Sequence, residues 1–274
     1  MRLSTSKIAF ASRFLAQATF PVSEAGRHEF ERRSGSLRLR MQAPPSVGLP
    51  YGTYPRLLMI WLNTQAVRQQ SSYIDLGHTL QQTLDNIGAA SSTGRRGTHR
   101  RLREQVMRLF STRLQIKDLD EPNGPPIEVP VTETYRLWAK PKTGARIYHW
   151  PRGFVVLGHR MFQEMLHHAV PIRTSTLDAL RRSPLTIDLY LWLSYRLFQL
   201  QERKIVPWEA LEKQFGTNFR CPHDFRRNLI RRLRQVREHY PQAEVQVRRQ
   251  GLSLSPSSPQ VAPQLVQTLP DSDS

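Results

Sequence analysis

Two tryptophans, Trp61 and Trp192, are each followed after 40 residues by an Arg-Leu-Arg triplet, Arg101-Leu102-Arg103 and Arg232-Leu233-Arg234. The landmarks between them recur in the same order: a short apolar run, a small amphipathic segment that stops at a glycine, and a long arginine-rich segment. A recurrence carried by whole elements restricts the chain to a fold that uses one supersecondary unit twice.

In the first copy, Pro55 suits the first turn of a helix running to Gln70, with Leu57, Leu58, Trp61 and Leu62 inward. Residues 73–76 read as a short strand. Residues 78–87 read as a small helix with Leu80, Leu84 and Ile87 on one face, closed by Gly88. A loop over 89–97 leads to a basic helix from Thr98, the expected N-cap, to Phe110. Residues 114–116 and 129–138 are expected to pair as a wing hairpin around a 118–126 loop, and 147–157 supplies more strand-like sequence. The second copy repeats the plan with a helix over 183–202, a strand over 204–206, a small helix over 208–215 stopped by Gly216, a basic helix over 221–240, and strands at 244–247 and 252–254. Further helices are expected over 159–168 and 176–182. The order helix–strand–helix–turn–helix–hairpin is that of a winged helix. The expectation is an α+β fold of two tandem winged-helix (helix-turn-helix) domains, 47–158 and 159–256. A flexible basic arm over 1–46 and a disordered tail over 257–274 complete it.

The 274 residues carry 40 Lys and Arg against 22 Asp and Glu, a net charge of +18. Such an excess, mostly arginine, calls for a polyanionic partner through phosphate contacts and counterion release. The single cysteine, Cys221, rules out a disulfide within the chain. No run approaches the ~20 apolar residues that cross a bilayer, so no membrane partner is expected and a bacterial cytoplasm is.

Projected at ~100° per residue, the second basic helix puts Phe225, Leu229, Leu233, Val236 and Tyr240 in one stripe. Arg220, His223, Arg227, Arg231 and Arg234 fall opposite, with Arg226 and Arg237 at one flank. A solvated helix face ordinarily interleaves acids with bases. This one therefore suits the major groove of double-stranded DNA, where arginines reach guanine edges or phosphates. The first basic helix turns Leu102, Val106 and Leu109 inward and Arg96, Arg100 and Arg103 outward, diluted by Glu104 and Met107. Phosphate contact, or pairing with a second copy as a homodimer, competes there with base contact. Two such units cover groove segments about 34–36 Å apart. Their tandem order favours an asymmetric direct repeat over a palindrome.

Chemistry finds no foothold, and neither a cofactor nor a metal nor an enzymatic step is expected. Residues 88–98 contain glycines but no Gly-Lys-Ser/Thr to cradle a nucleotide phosphate. A DNA-nicking enzyme needs a His-x-His pair, whereas His167 and His168 are adjacent and diverge on a helix. Glu164-x-x-His167 lacks the second copy that a di-iron site requires.

Several stretches resemble the RepA-type plasmid replication initiators: Gly48-Leu-Pro-Tyr-Gly52 with Pro55-Arg-Leu-Leu; Gly97-Thr98 with Arg101-Leu-Arg-Glu-Gln105; Arg182-Ser-Pro-Leu185, Asp188-Leu-Tyr-Leu-Trp192 and Tyr195-Arg196; Pro207-Trp-Glu-Ala-Leu211 with Gln214-Phe-Gly216; Asp224-Phe-Arg226; and Tyr240-Pro241. The resemblance spans roughly 47–260 in collinear order. It implies binding to repeated origin sites (iterons), help in opening the duplex, and recruitment of a DnaA-like host initiator and the replicative helicase. A transcriptional repressor of the same fold is the alternative, and a DNA-nicking replication enzyme the more remote one.

Overall fold

The computed structural model describes residues 2–3, 6–24, 26–89, 97–120, 123, 125–138, 152–216, 219 and 221–262. Strand β1 (Ile8–Ser12) leads into the short helix α1 (Arg13–Gln17), capped where the Phe14 amide donates to the Ser12 hydroxyl. The hairpin β2 (Glu29–Ser34) and β3 (Leu37–Gln42) follows. Gly35, at φ +62°, opens its two-residue turn in the left-handed conformation that suits a residue without Cβ. The first unit then runs α2 (Thr53–Gln69), β4 (Tyr73–Gly77), α3 (Leu80–Asn86) and α4 (Thr98–Phe110). After it come β5 (Arg113–Asp118), β6 (Ile127–Pro130), β7 (Thr132–Arg136) and β8 (Gly153–Leu157). A connection of α5 (His159–His167), β9 (Ala169–Arg173) and α6 (Thr174–Leu180) reaches the second unit. That unit is α7 (Pro184–Gln199), β10 (Lys204–Pro207), α8 (Trp208–Phe215), α9 (Pro222–His239), β11 (Val245–Arg248) and β12 (Gly251–Leu254).

The duplication is explicit in the sheets. In each unit the strand after the first helix pairs antiparallel with the last strand of the closing hairpin, giving the orders β4-β8-β7 and β10-β12-β11. The closing hairpin of the first unit differs from the sequence expectation. Residues 114–116 do pair with the 127–130 strand, but this hairpin joins β2 and β3 in a four-stranded sheet, β2-β3-β5-β6. The strand that pairs with β4 is β8, and the strand beside it is β7. An extra hairpin has been inserted after α4, and its alternating sequence competes with β7 for the place in the closing hairpin. The part of the 147–157 expectation over 147–151 lies outside the described residues.

Residues 1–46 are not a flexible arm where the structure describes them. Ala9, Phe10, Ala11, Phe14 and Leu15 are buried, and β1 pairs with β9 from Ile8↔Arg173 to Ser12↔Ala169. The Phe10 amide donates to Thr64 Oγ1 on α2 at 2.9 Å, so the outer edge of β1 is capped as well. The physical reason lies in α2 and α7, which are apolar on nearly every side. Leu57 to Ala66 are all buried, as are Leu185 to Leu193. A helix of that kind needs cover on more than one face, and β1, α1 and the N-terminal hairpin supply it. The alternation Leu37-Arg-Leu-Arg-Met41 beside the Ser34-Gly35-Ser36 turn was the available signal for that hairpin.

The tail is likewise fixed at its start. The Gln260 side chain donates to Thr176 Oγ1 (2.8 Å) and the His239 carbonyl (2.7 Å), and accepts from the Tyr190 hydroxyl. Val261 packs with Ile8 and Phe10. The expectation of disorder from 257 onward therefore fails through Ala262, and its remainder lies outside the described residues. A smaller correction concerns the first unit itself. Gly97, not Thr98, is the N-cap of α4, and Thr98 occupies the first turn, buried. β1 and β9, one from each half of the chain, run antiparallel about the Phe10–Pro171 pair.

Candidate nucleic-acid interface

The inner side of the site is a buried ion pair between the units. Arg56 of α2 and Asp188 of α7 are 0% and 1% exposed. Arg56 Nε donates to Asp188 Oδ1 (2.6 Å) and Nη2 to Oδ2 (2.7 Å). The remaining guanidinium protons reach the carbonyls of Phe20 (2.6 Å), Pro21 (3.2 Å) and Gly52 (2.6 Å). All five donors are satisfied, as a buried guanidinium requires. Burial pushes the Asp188 carboxyl up from its ordinary value, while Arg56 and then Arg32 pull it back. Arg32, buried on β2 and lying over the Phe30 ring, is itself pushed down to about 10 by burial. One carboxylate thus ties together α2, α7 and the N-terminal hairpin.

Several stretches that carry the family resemblance serve this packing rather than the solvent face. Gly52, Arg56 and Asp188 belong to the ion-pair network. The Tyr51 amide donates to Gln105 Oε1 at 2.7 Å, Gln214 Nε2 to the Gln17 carbonyl at 2.9 Å, and Gln17 Nε2 to the Tyr195 hydroxyl at 3.2 Å. None of these was among the expected site residues. The signal was present in the sequence as an Arg and an Asp inside otherwise apolar helices.

The outer side is α9. Pro222 in its first turn, Asp224 near the N-terminus and Arg237 and His239 near the C-terminus suit helix geometry and dipole. Phe225, Leu229, Leu233, Val236 and Tyr240 are buried at the expected spacing. His223, Arg226, Arg227, Arg231, Arg234 and Arg237 are exposed. Arg226 lies 5.5 Å from the Trp208 ring of α8, which orients its guanidinium. Arg227 donates to Asp224 Oδ1 at 2.9 Å. Arg231 and Arg234 bond no described residue. Arg232 is half-buried, donates to Gln235 Oε1 at 3.0 Å, and is lowered from its ordinary value by burial and then by neighbouring Arg231. Five of the expected residues, His223, Arg226, Arg227, Arg231 and Arg234, line a concave surface of about 680 Å³ with Phe219 and Ile230. Arg220 lies outside the described residues.

α4 keeps its core stripe of Leu102, Val106 and Leu109, but its polar side is occupied differently. Arg100 is exposed and donates to Glu104 Oε1 at 2.8 Å; Arg103 is half-buried. His99 meets Gln81 Oε1 at 2.7 Å. Arg108 donates to Glu24 Oε1 (2.6 Å) and the Leu49 carbonyl (3.2 Å), and lies over the Tyr51 ring. Arg101, which was not among the expected residues, is exposed and bonds no described residue. Arg96 lies outside the described residues. The Glu164 carboxylate, whose spacing to His167 did not make a metal site, accepts both Arg13 Nε (2.6 Å) and Nη2 (2.9 Å). Among the described residues no helix is long and apolar enough to cross a membrane.

The architecture is therefore that of an α+β protein with a duplicated helix–strand–helix–helix–hairpin unit, joined by a buried core and presenting basic helices outward. The model of the plasmid-encoded RepA protein family matches residues 49–210, from the Leu49 loop through the Arg56–Asp188 pair into α8. The chain belongs to that family, the RepA-type replication initiators. In three dimensions it is similar to the crystal structure of RctB domains 2–3, with a TM-score of 0.51 and 15% sequence identity over 81% of this chain and 82% of that one. At that identity the likeness speaks to the fold alone. No curated protein matches the sequence.

Proposed function

We propose that this protein initiates plasmid replication by binding repeated origin DNA (iterons) through two winged-helix units. The observation that carries the reading is the outer face of α9, where Arg231 and Arg234 stand exposed and without an acidic partner among the described residues. In this reading α9 enters the major groove, with Arg227, Arg231 and Arg234 nearest the bases and His223 and Arg226 at the backbone. Arg100 and Arg103 of α4 hold the neighbouring segment, mainly by phosphate contact. The bound protein promotes origin opening and recruits a DnaA-like host initiator and the replicative helicase, in the bacterial cytoplasm. Pairing of two copies, where it occurs, uses the first unit. No catalytic step and no cofactor enters.

Supplying the gene in trans to a plasmid that lacks its initiator tests the reading, alongside footprinting of the DNA that flanks the gene. Replication together with a protected set of repeats is the expected outcome. Protection at the gene's own promoter without replication would make the protein a repressor of the same fold. Metal-dependent nicking of supercoiled origin DNA would make it an enzyme.

A further inference from the structure

The solvent face of the β2-β3-β5-β6 sheet carries a row of like charges that neither basic helix uses. The register sets Arg33 opposite Arg38 and Arg38 opposite Lys117. Three cations thus stand side by side on strands about 4.8 Å apart, an arrangement that destabilises a sheet. The carboxylate beside them is Glu31, 3.2 Å from Arg33 Nε and 3.8 Å from Arg38 Nε. Lys117 bonds no described residue.

The row continues into a cleft. Arg33, Ser34 and Gly35 at the hairpin tip form one wall of a cavity of about 370 Å³, and the second unit forms the other. That wall contributes Arg196 of α7 and Lys213 and Glu209 of α8. Arg196 Nε is buried and has no hydrogen-bond partner among the described residues. Arg33 joins the row to the cleft, so Arg38 and Lys117 on one side and Arg196 and Lys213 on the other have Glu31 and Glu209 beside them, while Glu29 and Glu128 on the same sheet face are engaged by Arg40 and Gln42 and by Gln115. A solvated surface has no need of such an imbalance, whereas a polyanion compensates it. The surface also adjoins the proposed interface. α8 packs on β2, and Trp208 at its start carries Arg226 of α9.

We propose that this sheet face and cleft bind the sugar–phosphate backbone of duplex DNA flanking the segment held by α9. The proposal rests on the DNA-binding reading above. Backbone fits better than an acidic protein surface because the outward positions are polar throughout, from Glu29, Glu31 and Arg33 on β2 through Arg38, Arg40 and Gln42 on β3 to Arg113, Gln115 and Lys117 on β5 and Glu128 on β6. A protein interface centres on an apolar or aromatic anchor; the row offers none, and Trp192 in the cleft wall is only 3% exposed. Arginine and lysine neutralise phosphates without reading bases.

The test uses the full chain with Arg38→Gln/Lys117→Gln, and Lys117→Gln alone as the milder variant. Binding is measured by fluorescence anisotropy across a salt series, on a long duplex bearing the gene-flanking site and on one trimmed to the α9 footprint. On the long duplex the slope of log K against log salt is expected to fall by about one to two for the double variant, at roughly 0.9 for each phosphate no longer neutralised. The preference over random DNA is expected to stay unchanged, and the trimmed duplex to show no difference. An unchanged slope on the long duplex overturns the proposal. So does an unchanged slope with replication lost in trans, which would assign the surface to an acidic protein. If the wild-type chain itself binds neither duplex, the DNA-binding reading fails instead.

Discussion

α9 and α4 occupy the same place in two copies of one unit, with the same spacing of buried apolar residues (Leu229, Leu233, Val236 and Leu102, Val106, Leu109), yet their polar sides have diverged. α9 leaves five arginines exposed, and only Arg227 among them has a carboxylate within bonding distance among the described residues. On α4, Arg100 is engaged by Glu104, Arg108 by Glu24 and the Leu49 carbonyl, and His99 by Gln81. The periodicity that makes each helix amphipathic says which side faces out. It does not say whether that side is free. Neighbours distant in sequence contribute to availability: the loop around Leu49 and the helix α3 claim Arg108 and His99 of α4, whereas on α9 Arg226 lies over Trp208 and Arg231 and Arg234 bond no described residue.

The contrast presupposes that the two helices are held in one frame, and that is where it breaks most easily. Asp188→Ala leaves a buried Arg56 uncompensated and is expected to cost about 3–5 kcal/mol. Urea unfolding should show this as a single transition for both units; two separate transitions would mean the units fold independently. The next largest effect concerns α9. Arg231→Ala is expected to cost about 1–3 kcal/mol on the cognate site and far less on random DNA. An equal loss on both would reduce α9 to a phosphate contact and erase the difference from α4. Arg101→Ala, by contrast, should weaken cognate and random DNA alike and lower the salt slope by about one. A selective loss on the cognate site would give α4 a base-reading role. The smallest effect comes from releasing α4. Glu104→Gln frees Arg100 from an exposed pair and should tighten binding by no more than about twofold, measured in the same titration.

Much of the fold was legible because periodicity is local. The bounds of α8 (Trp208–Phe215) match the sequence expectation residue for residue, and α4 (Thr98–Phe110) ends where expected. The core stripe of α9, from Phe225 to Tyr240, also holds. Misreadings cluster where a segment is defined by a partner far along the chain. β1 has five residues and no turn signal of its own, so its place against β9 and Thr64 cannot be read from sequence. The expected pairing of 114–116 with 129–138 holds only at its start, where β5 meets Ile127–Pro130, while Thr132–Arg136 pairs with β8 and the other neighbour of β5 is β3. At the site, exposure of Arg231 and Arg234 and the i,i+4 pair Arg100–Glu104 followed from helix geometry, whereas the engagement of His99 by Gln81 and of Arg108 by Glu24 depended on what lay beside them.

The sequence alone determined that one unit occurs twice, that each copy carries a basic amphipathic helix, and that the chain bears a net charge of +18, because periodicity, spacing and charge are properties of the chain itself. Only the tertiary structure decided that the N-terminal segment covers α2 and α7, that Arg56 and Asp188 join the copies, and that Arg33, Arg38 and Lys117 fall in one row. Burial of a charge and alignment of strands depend on contacts between residues scores of positions apart, and no local pattern encodes which of those contacts forms.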